Sequence, residues 1–485
     1  MIKSCGVDIL GMFKIKNGLS VRAKISLVAT IVLIFAGAAW ANFSLASFDK
    51  TQNPLTQSAS SLLSRLNAWS EILSAVPRVM GYLKPQTYLV LFLNNTEIRP
   101  GGGFIGSYAV VRINSGRVSI LETNGSENLD WDAPDDFNVA SPAPLKTYLK
   151  QPRWFFRDAN WSPDFPTSAR YTHWLYRFEN GREGSKIDSI IGITPRLVEE
   201  LLAITGPLRV GNKTFNAETF VNELEYHVEV GFKDEGIKKS DRKVILGDLS
   251  RGLLAKLTKL SLLQIKNMLP MLTRLAQERQ IMMYSNYDEL QNVLVKNNWA
   301  GEVKKSVGDY LMVVDANLNS LKSDPEVSRE ITYRLLPDGR RWRAQVVISY
   351  NHHGDFNWKT TRYRSYTRIY APRGAELIST QGFMNIKKEP VQPETTEELN
   401  KTVFGGFISI EPQEEKTITL EYFLPKEIGE QIRADKYNLF VQKQLGTGAV
   451  PLTVELDFGK KVGTGGTVYR SKTDLRTDRE FRINF

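Results

Sequence analysis

The chain has 485 residues, of which 42% are hydrophobic and 24% charged, as in an ordinary globular protein. Its formal net charge is +10, but the basic residues are spread along the chain without a recognised nucleic-acid motif, so nucleic acid is not expected as a partner. The single cysteine, Cys5, excludes an intramolecular disulfide, and the four histidines show no metal-ligand spacing. A generally basic surface explains the charge; attraction to anionic envelope polymers or lipid headgroups is the alternative.

The first 48 residues have the pattern of a membrane anchor. Residues 1–24 carry five basic side chains against Asp8 alone, and no charged residue occurs from position 25 to position 48. This pattern predicts a basic cytoplasmic stub at 1–24 and one transmembrane helix at 25–47. A cleaved signal peptide ending near Ala39-Trp40-Ala41 is the alternative. In either case we expect the body of the protein outside the cytoplasm, with the lipid bilayer of the cell membrane as a partner.

After the anchor, the sequence predicts an amphipathic helical linker and then a layered α/β domain. Residues 48–83 carry apolar side chains on one helical face until Pro85. Between 84 and 322, short apolar runs alternate with helical patterns. Such alternation is typical of helices packed on a sheet. We therefore place the α/β domain at residues 84–322.

The most unusual part of this domain is the loop after its first predicted strand, at 88–93. The loop contains Asn94, Asn95, Glu97, Arg99, Gly101, Gly102 and Gly103, and Ser107 begins the next predicted strand. No Gly-Lys-Ser/Thr follows, and the glycines precede a strand rather than a helix, so neither common nucleotide-binding loop is indicated. A glycine-rich loop beside an arginine could present N–H groups to an anion. Equally, Glu97 and Arg99 could pair with each other while the glycines permit a sharp bend.

An irregular stretch at 122–174 is rich in aromatic and acidic residues. Within it, Asp158, Asn160 and Asp164 surround Trp161. Asp158 and Asp164 are the candidate metal ligands, because hard oxygen ligands could hold Mg²⁺ or Ca²⁺. Helix capping and turn formation would explain the same residues. The aromatic rings either pin a long loop to the core or line a cleft for sugar or lipid.

From about residue 327 the hydrophobic pattern changes to a period of two. Runs rich in Val, Ile, Thr and Tyr are separated by turns such as Pro337-Asp338-Gly339. This pattern predicts a C-terminal antiparallel β-sandwich at 326–485. The boundary with the α/β domain is expected at 322–325.

Three separated motifs resemble those of an uncharacterised bacterial family, the domain of unknown function numbered four thousand and twelve. They are NNTEIRPGGGFIGSY at 94–108, FRDANWSPDFPTSA at 156–169 and IDSIIGITPRLVEELLAITGPLRV at 187–210. The resemblance implies kinship and topology, but the name of that family carries no activity.

The order of elements is also similar to that of LytR-CpsA-Psr proteins. Those proteins are single-pass extracytoplasmic enzymes that move glycopolymers from a polyprenyl pyrophosphate carrier to the cell wall, using arginines, aspartates and a divalent cation. The resemblance implies a LytR-CpsA-Psr-like α/β domain, with Arg99 in the first arginine position and Asp241 and Arg242 near the downstream Asp–Arg pair. The chain departs from that family after the second strand, where Glu122-Thr123-Asn124-Gly125 stands in place of a Pro-Arg-Asp triplet.

Two functions follow from this resemblance and from the anchor. In the first, the protein binds or transfers polyprenyl-pyrophosphate-linked glycopolymers of the cell envelope, with Mg²⁺ as cofactor if it is a transferase. In the second, it is a non-catalytic envelope protein whose β-sandwich serves as the binding or adhesion module. For either function we expect Arg99, the three glycines, Asp158, Asp164, Asp241 and Arg242 on one face, with Trp161 at its rim. The reason is that a parallel α/β sheet collects its functional loops at the carboxyl ends of its strands.

Overall fold

The structure is a computed structural model that describes residues 74–461 and 466–484. The predicted stub at 1–24, the anchor at 25–47 and most of the linker at 48–83 lie outside the described residues. Among the residues that the structure describes, no helix combines the length and the apolar character needed to cross a membrane.

The N-terminal part of the described chain is built on a five-stranded mixed sheet with the order β3-β2-β1-β4-β7. The strands are, in chain order, β1 (Gln86–Asn94), β2 (Phe104–Asn114), β3 (Arg117–Gly125), β4 (Ser189–Ile193), β5 (Leu208–Val210), β6 (Lys213–Phe215) and β7 (Ile281–Ser285). Strands β5 and β6 form a separate two-stranded ribbon. Only β1 and β4 pair in parallel; the other pairs of this sheet are antiparallel. The mixed α/β class is confirmed, but the expected parallel sheet is reduced to one strand pair.

Helices cover both faces of this sheet. They are α1 (Ser126–Trp131), α2 (Ala143–Tyr148), α3 (Phe165–Phe178), α4 (Pro195–Thr205), α5 (Phe220–Tyr226), α6 (Phe232–Asp234), α7 (Ile245–Leu257), α8 (Leu262–Gln277) and α9 (Asp288–Lys296), with a π-helical turn at His227–Gly231. Leu89, Leu91 and Leu93 of β1 join the core that contains residues of α3. Tyr88, from the alternate positions, joins the core that contains residues of α8 and α9. The apolar run at 88–93, within β1, therefore contributes side chains to the cores on both faces of the sheet.

The C-terminal part is a sandwich of two six-stranded sheets. Its strands are β8 (Asp309–Asn317), β9 (Val327–Asp338), β10 (Arg341–His352), β11 (Tyr363–Pro372), β12 (Glu376–Gln381), β13 (Glu394–Glu398), β14 (Lys401–Ile410), β15 (Glu415–Phe423), β16 (Lys436–Gln442), β17 (Pro451–Asp457), β18 (Val468–Asp474) and β19 (Arg479–Asn484), with helix α10 (Lys426–Arg433). The sheet orders are β12-β15-β10-β9-β17-β18 and β13-β14-β11-β8-β16-β19. Side chains from both sheets share one large core. Two parallel pairs, β8–β16 and β9–β17, interrupt the otherwise antiparallel pairing.

Strand β8 connects the two parts of the molecule. The sequence placed it in the α/β domain, but it lies inside the second sandwich sheet, between β11 and β16, and all nine of its residues are buried. A strand buried on both faces has the same sequence pattern in either kind of domain, so the pattern could not assign it. At the expected boundary, 322–325, Ser323 is fully buried, and its hydroxyl lies within hydrogen-bond distance of the carbonyl oxygens of Ser320 and Thr361.

Candidate functional site

The triglycine loop joins β1 to β2 and is packed against the sandwich. Gly102 has a φ of +111° and Gly103 a φ of +142°, values that favour glycine. A Cβ on Gly103 would lie 2.7 Å from the carbonyl oxygen of Asn94, so the turn has no room for a side chain. On the sandwich side, a Cβ on Gly446 would lie only 2.0 Å from the carbonyl oxygen of Gly102. The glycines therefore serve a close contact between two backbones.

Arg99 is buried beneath this loop, and each of its three guanidinium nitrogens donates a hydrogen bond. Nε donates to Oδ1 of Asp158 at 3.1 Å, and Nη2 donates to Oε1 of Glu97 at 3.0 Å. Nη1 donates to the carbonyl oxygen of Asn317, in β8, at 2.5 Å. Burial alone would lower the pKa of Arg99, but the charges of Glu97 and Asp158 outweigh it and raise the pKa. The paired arrangement of Glu97 and Arg99, one of two alternatives left by the sequence, is the one present.

The two candidate metal ligands are engaged by protein donors. Asp158 accepts from Arg99 with one oxygen and from Nε2 of Gln151, at 3.2 Å, with the other. Asp164 caps α3, because its Oδ2 accepts from the backbone N–H of Thr167 at 3.0 Å, and its Oδ1 accepts from that of Val303 at 2.8 Å. Among residues 74–461 and 466–484, no group of three or more His, Cys, Asp or Glu side chains could hold a metal ion.

Asn160 and Trp161 hold the loop and the sandwich together. Nδ2 of Asn160 donates to the carbonyl oxygen of Gly103 at 2.7 Å. The backbone carbonyl oxygen of Asn160 accepts from the N–H of Gly101 at 2.9 Å. The guanidinium of Arg368, in β11, lies 4.9 Å from the ring centre of Trp161 and donates to its carbonyl oxygen at 2.7 Å. Trp161, expected at the rim of a ligand face, is thus packed against the sandwich.

The remaining candidates near the loop, Asn94, Asn95 and Ser107, also have hydrogen-bond or strand partners within the protein. Oδ1 of Asn94 accepts from the N–H of Thr96 at 3.1 Å, as in a turn that follows a strand. Nδ2 of Asn95 donates to the carbonyl oxygen of Gly446 at 2.9 Å. Ser107 is buried within β2, where it pairs with Phe92 and Gly125.

Asp241 and Arg242 lie in a second cluster of charges. Arg242 makes two hydrogen bonds to Glu127, at 3.1 and 2.8 Å, and one to Glu229, at 3.3 Å, whereas Asp241 is exposed. Glu229 also pairs with Lys322, at 3.1 Å, and the charges of Glu229 and Glu97 raise the pKa of Lys322 against the lowering effect of burial. Lys322 therefore connects the cluster of Arg242 with that of Arg99, but each arginine is neutralised by its own carboxylates.

The structure also contains a cavity that the sequence did not indicate. It has a volume of about 670 Å³ and lies at one end of the sandwich, between the start of β10, the turn before β12 and helix α10. Its charged lining residues are Arg340, Arg341, Arg373, Lys426 and Arg433 against Glu376, Glu397 and Glu427. Trp342, which is half-buried, also lines it. The run Arg340-Arg341-Trp342 after a turn was the available signal, but Arg373 and Arg433 are distant in sequence.

The ion pairs around this cavity leave part of the basic charge unneutralised. Arg341 pairs with Glu376 at 2.7 Å and Arg373 with Glu397 at 3.3 Å, and all four side chains are exposed. Within the part of the chain that the structure describes, Arg340 and Arg433 have no carboxylate partner. The guanidinium of Arg341 also lies over the ring of Phe423, at 3.9 Å, which fixes its position.

Comparisons with known proteins match the N-terminal part of the fold to one family model. No curated protein matches the chain. A solved structure from Legionella pneumophila subsp. pneumophila str. Philadelphia 1, provisionally described as a nutrient binding protein, is similar at 8% identity with a TM-score of 0.23. The match covers 37% of this chain and 72% of that one, and at this TM-score it carries no argument about fold or function.

Residues 84–228 match the model of the family described as "Protein of unknown function (DUF4012)". This range begins just before β1, ends in the π-helical turn and includes all three motifs quoted from the sequence. The segment from residue 84 to residue 228 of this chain is therefore similar to the DUF4012 family.

Proposed function

We propose that this protein binds an anionic polymer of the cell envelope without transforming it, and that the sandwich cavity is the binding site. The observation that carries the proposal is the surplus of basic groups around a cavity of about 670 Å³. A guanidinium offers paired donors to a carboxylate or phosphate, and Arg340 and Arg433 have donors that no carboxylate of the described residues occupies.

The half-buried Trp342 adds an apolar surface to this basic cavity. Its ring packs against the ring of Phe458, with 6.1 Å between the centres, and against α10 at Gly429. A flat aromatic surface beside cations suits a sugar ring that carries an acidic group. The favoured ligand is therefore a polymer of phosphate-bearing or carboxylate-bearing units, since both acidic groups bind arginine in the same way.

The hydrogen bonds that Arg99 and Arg242 already make within the protein support binding over transfer. A transferase acting on a pyrophosphate needs cationic groups whose donors are free for the substrate. Arg99 is committed to Glu97, Asp158 and Asn317, and Arg242 to Glu127 and Glu229.

Titration of the full-length protein in lipid nanodiscs would test the proposal. The ligands would be a glycerol-phosphate oligomer and an oligogalacturonate, which separate the phosphate from the carboxylate source. We expect saturable binding of at least one of them, weakened at least about tenfold by Arg433→Glu and by higher salt. Arg209→Glu, an exposed change in the α/β domain, is the matched control and should bind as wild type. Equal affinity for the wild type and Arg433→Glu would refute the cavity as the site.

A second candidate is transfer of a polyprenyl-pyrophosphate-linked glycopolymer, as in LytR-CpsA-Psr proteins. The cluster of Arg242, Lys243 and Lys322 around Glu127 and Glu229 favours it, because it gathers three basic side chains in one place. A π-helical turn at His227–Gly231 supplies Glu229, and such turns are frequent at functional sites. The test is transfer of a labelled lipid-linked glycan in the presence of Mg²⁺. Transfer by the wild type that Arg242→Ala abolishes would support this function. Absence of transfer by the wild type would exclude this function.

The proposed location is the outer face of the cell membrane, with the N-terminus in the cytoplasm. It rests on the uncharged run at 25–48 and the basic residues before it. A reporter active only outside the cytoplasm, fused after Asp49, should give a signal, and silence of that reporter would refute the location.

A further inference from the structure

One end of the α/β domain receives the chain from the N-terminal segment. The backbone N–H of Gly116 donates to the carbonyl oxygen of Met80 at 2.8 Å, which places residues 80–84 beside the turn between β2 and β3. Nζ of Lys84 lies 3.5 Å from Oδ1 of Asp188. The chain therefore enters the fold at the amino ends of the parallel strands β1 and β4.

Helix α3 ends at the same end of the sheet. The loop after it, at 180–186, folds back on the last turns of the helix, where His173 Nε2 lies 2.8 Å from the carbonyl oxygen of Gly184. Two residues after this loop, Asp188 accepts from the backbone N–H of Thr87 at 2.8 Å. The loop that follows α3 and the chain that precedes β1 thus meet at this end of the sheet.

This end of the domain exposes large apolar side chains. Leu83 is 65% exposed, Phe178 51% and Trp174 39%. Trp174 and Phe178 are four residues apart in α3 and therefore on one side of the helix, with 4.9 Å between their ring centres. Clustered exposed apolar groups of this kind mark an interaction surface.

Basic side chains flank these apolar groups. Lys84, Arg177, Arg182 and Lys186 are exposed, and the nearby carboxylates are Glu183 and Asp188. Glu183 is shared between Lys186, at 2.9 Å, and Arg112, at 3.2 Å. Arg177 has no carboxylate partner among residues 74–461 and 466–484. The surface is net positive on this side of the sheet.

We propose that this basal surface, formed by Leu83, Lys84, Trp174, Arg177, Phe178 and Lys186, lies against a bilayer that contains anionic lipid headgroups. Aromatic rings with cations beside them are the side chains that occupy the interface between acyl chains and headgroups. The uncharged run at 25–48 precedes Leu83 in the sequence, so the chain comes to this surface from the segment with the strongest membrane character. This contact is independent of the sandwich cavity. It orients the α/β domain relative to the bilayer.

Depth-dependent quenching on full-length protein in vesicles would test the contact. In a Cys5→Ser background, a fluorophore on Phe178→Cys is compared with one on Ile386→Cys, which is 54% exposed in the sandwich. The vesicles hold nitroxide-labelled lipid in phosphatidylcholine, with or without 30% phosphatidylglycerol. We expect at least about twofold stronger quenching at 178 than at 386 when phosphatidylglycerol is present, and loss of that difference with Arg177→Glu and Lys186→Glu together.

Two results would overturn the proposal. One is equal quenching at both positions in the anionic vesicles. The other is a shielded fluorophore at 178 whose quenching falls as protein density on the vesicle rises, because the surface would then contact a second copy of the chain. Near-ultraviolet circular dichroism of each variant confirms that the fold is retained.

Discussion

Nε of Arg99 donates to Oδ1 of Asp158 at 3.1 Å, and both side chains are almost completely buried. Asp158 belongs to the segment before α3, whereas the other side of the same guanidinium contacts Asn317 in the sandwich. Arg99 therefore joins the triglycine loop, the segment before α3 and strand β8. The geometry assigns it to the support of the fold.

Arg99→Ala should strongly destabilise the protein. The change leaves the buried carboxylate of Asp158 and the partly buried one of Glu97 without their cation, and removal of one member of a buried ion pair costs about 3–5 kcal/mol. Chemical denaturation followed by fluorescence would measure the loss. Arg177→Ala, which removes an exposed arginine, should change the free energy of unfolding by less than about 0.5 kcal/mol. An unchanged midpoint for Arg99→Ala would show that the buried pair does not support the fold.

Gly446→Ala should loosen the contact between the sandwich and the triglycine loop. Gly446 has a φ of +73°, and its new Cβ would lie 2.0 Å from the carbonyl oxygen of Gly102. We expect a loss of at least about 2 kcal/mol, because the backbone must move and the left-handed conformation is itself unfavourable for alanine. Gly448→Ala, two residues along, meets nothing within 4 Å and serves as control. Faster hydrogen exchange in the loop for Gly446→Ala alone would locate the effect; equal stability of the two variants would disprove it.

A buried pair of carboxyl groups, Asp130 and Glu179, should make stability depend on pH. Burial raises the pKa of both groups; the charge of Asp130 raises that of Glu179 further, while Arg157 opposes the shift at Asp130. For an acid whose pKa is raised in the folded state, the folded state binds the extra proton. Its contribution to stability is therefore lost as pH rises above the ordinary pKa of 4.5.

Glu179→Gln should remove much of this dependence. The amide can still accept from the N–H of Phe156, which now donates to Oε1 of Glu179 at 2.7 Å, but it has no proton to lose. Urea denaturation at pH 5.5 and pH 8.5 should give a smaller difference between the two midpoints for the variant than for the wild type. Glu223→Gln, in a solvent-exposed side chain, is the control. Parallel pH profiles for wild type and Glu179→Gln would argue against a raised pKa of Glu179 as the cause.

Limited proteolysis should not separate two folded pieces at Lys322. Its backbone N–H donates to the carbonyl oxygen of Lys359 at 2.9 Å, and the adjacent Ser323 is fully buried. Trypsin needs several residues of extended, accessible chain, and the exposed turn that holds Lys387 and Lys388 offers them. Mass spectrometry of early fragments should show cleavage in that turn before cleavage at Lys322. Early release of an intact fragment ending at 322 would contradict this order.

Local patterns were sufficient for the elements whose partners are near in sequence. The apolar run at the start of the domain is β1, the alternation after the glycines is β2, and Asp164 caps the helix that follows it. Glu97 and Arg99 are two residues apart, so their pairing could be named as an alternative. In each of these cases the determining interaction lies within a few residues.

Contacts between distant segments could not be predicted from the same patterns. Gly102 meets Gly446, and Arg99 meets Asn317, across hundreds of residues of chain. A glycine-rich loop has the same sequence whether it faces an anion or another backbone. The sandwich cavity likewise brings together Arg340 and Arg433, which are far apart in sequence, so its lining also depends on tertiary packing.

The position of β8 between β11 and β16 has a consequence for the order of folding. Strand β8 is made more than a hundred residues before β16, its parallel neighbour, and β16 in turn pairs with β19 at the end of the described chain. Until those strands are synthesised, one edge of β8 presents unpaired backbone groups on an apolar strand, a template for wrong pairing. Such long-range pairing also slows folding. A chain truncated before residue 436 would therefore be aggregation-prone, and the unfinished chain has to be protected while its last strands are completed.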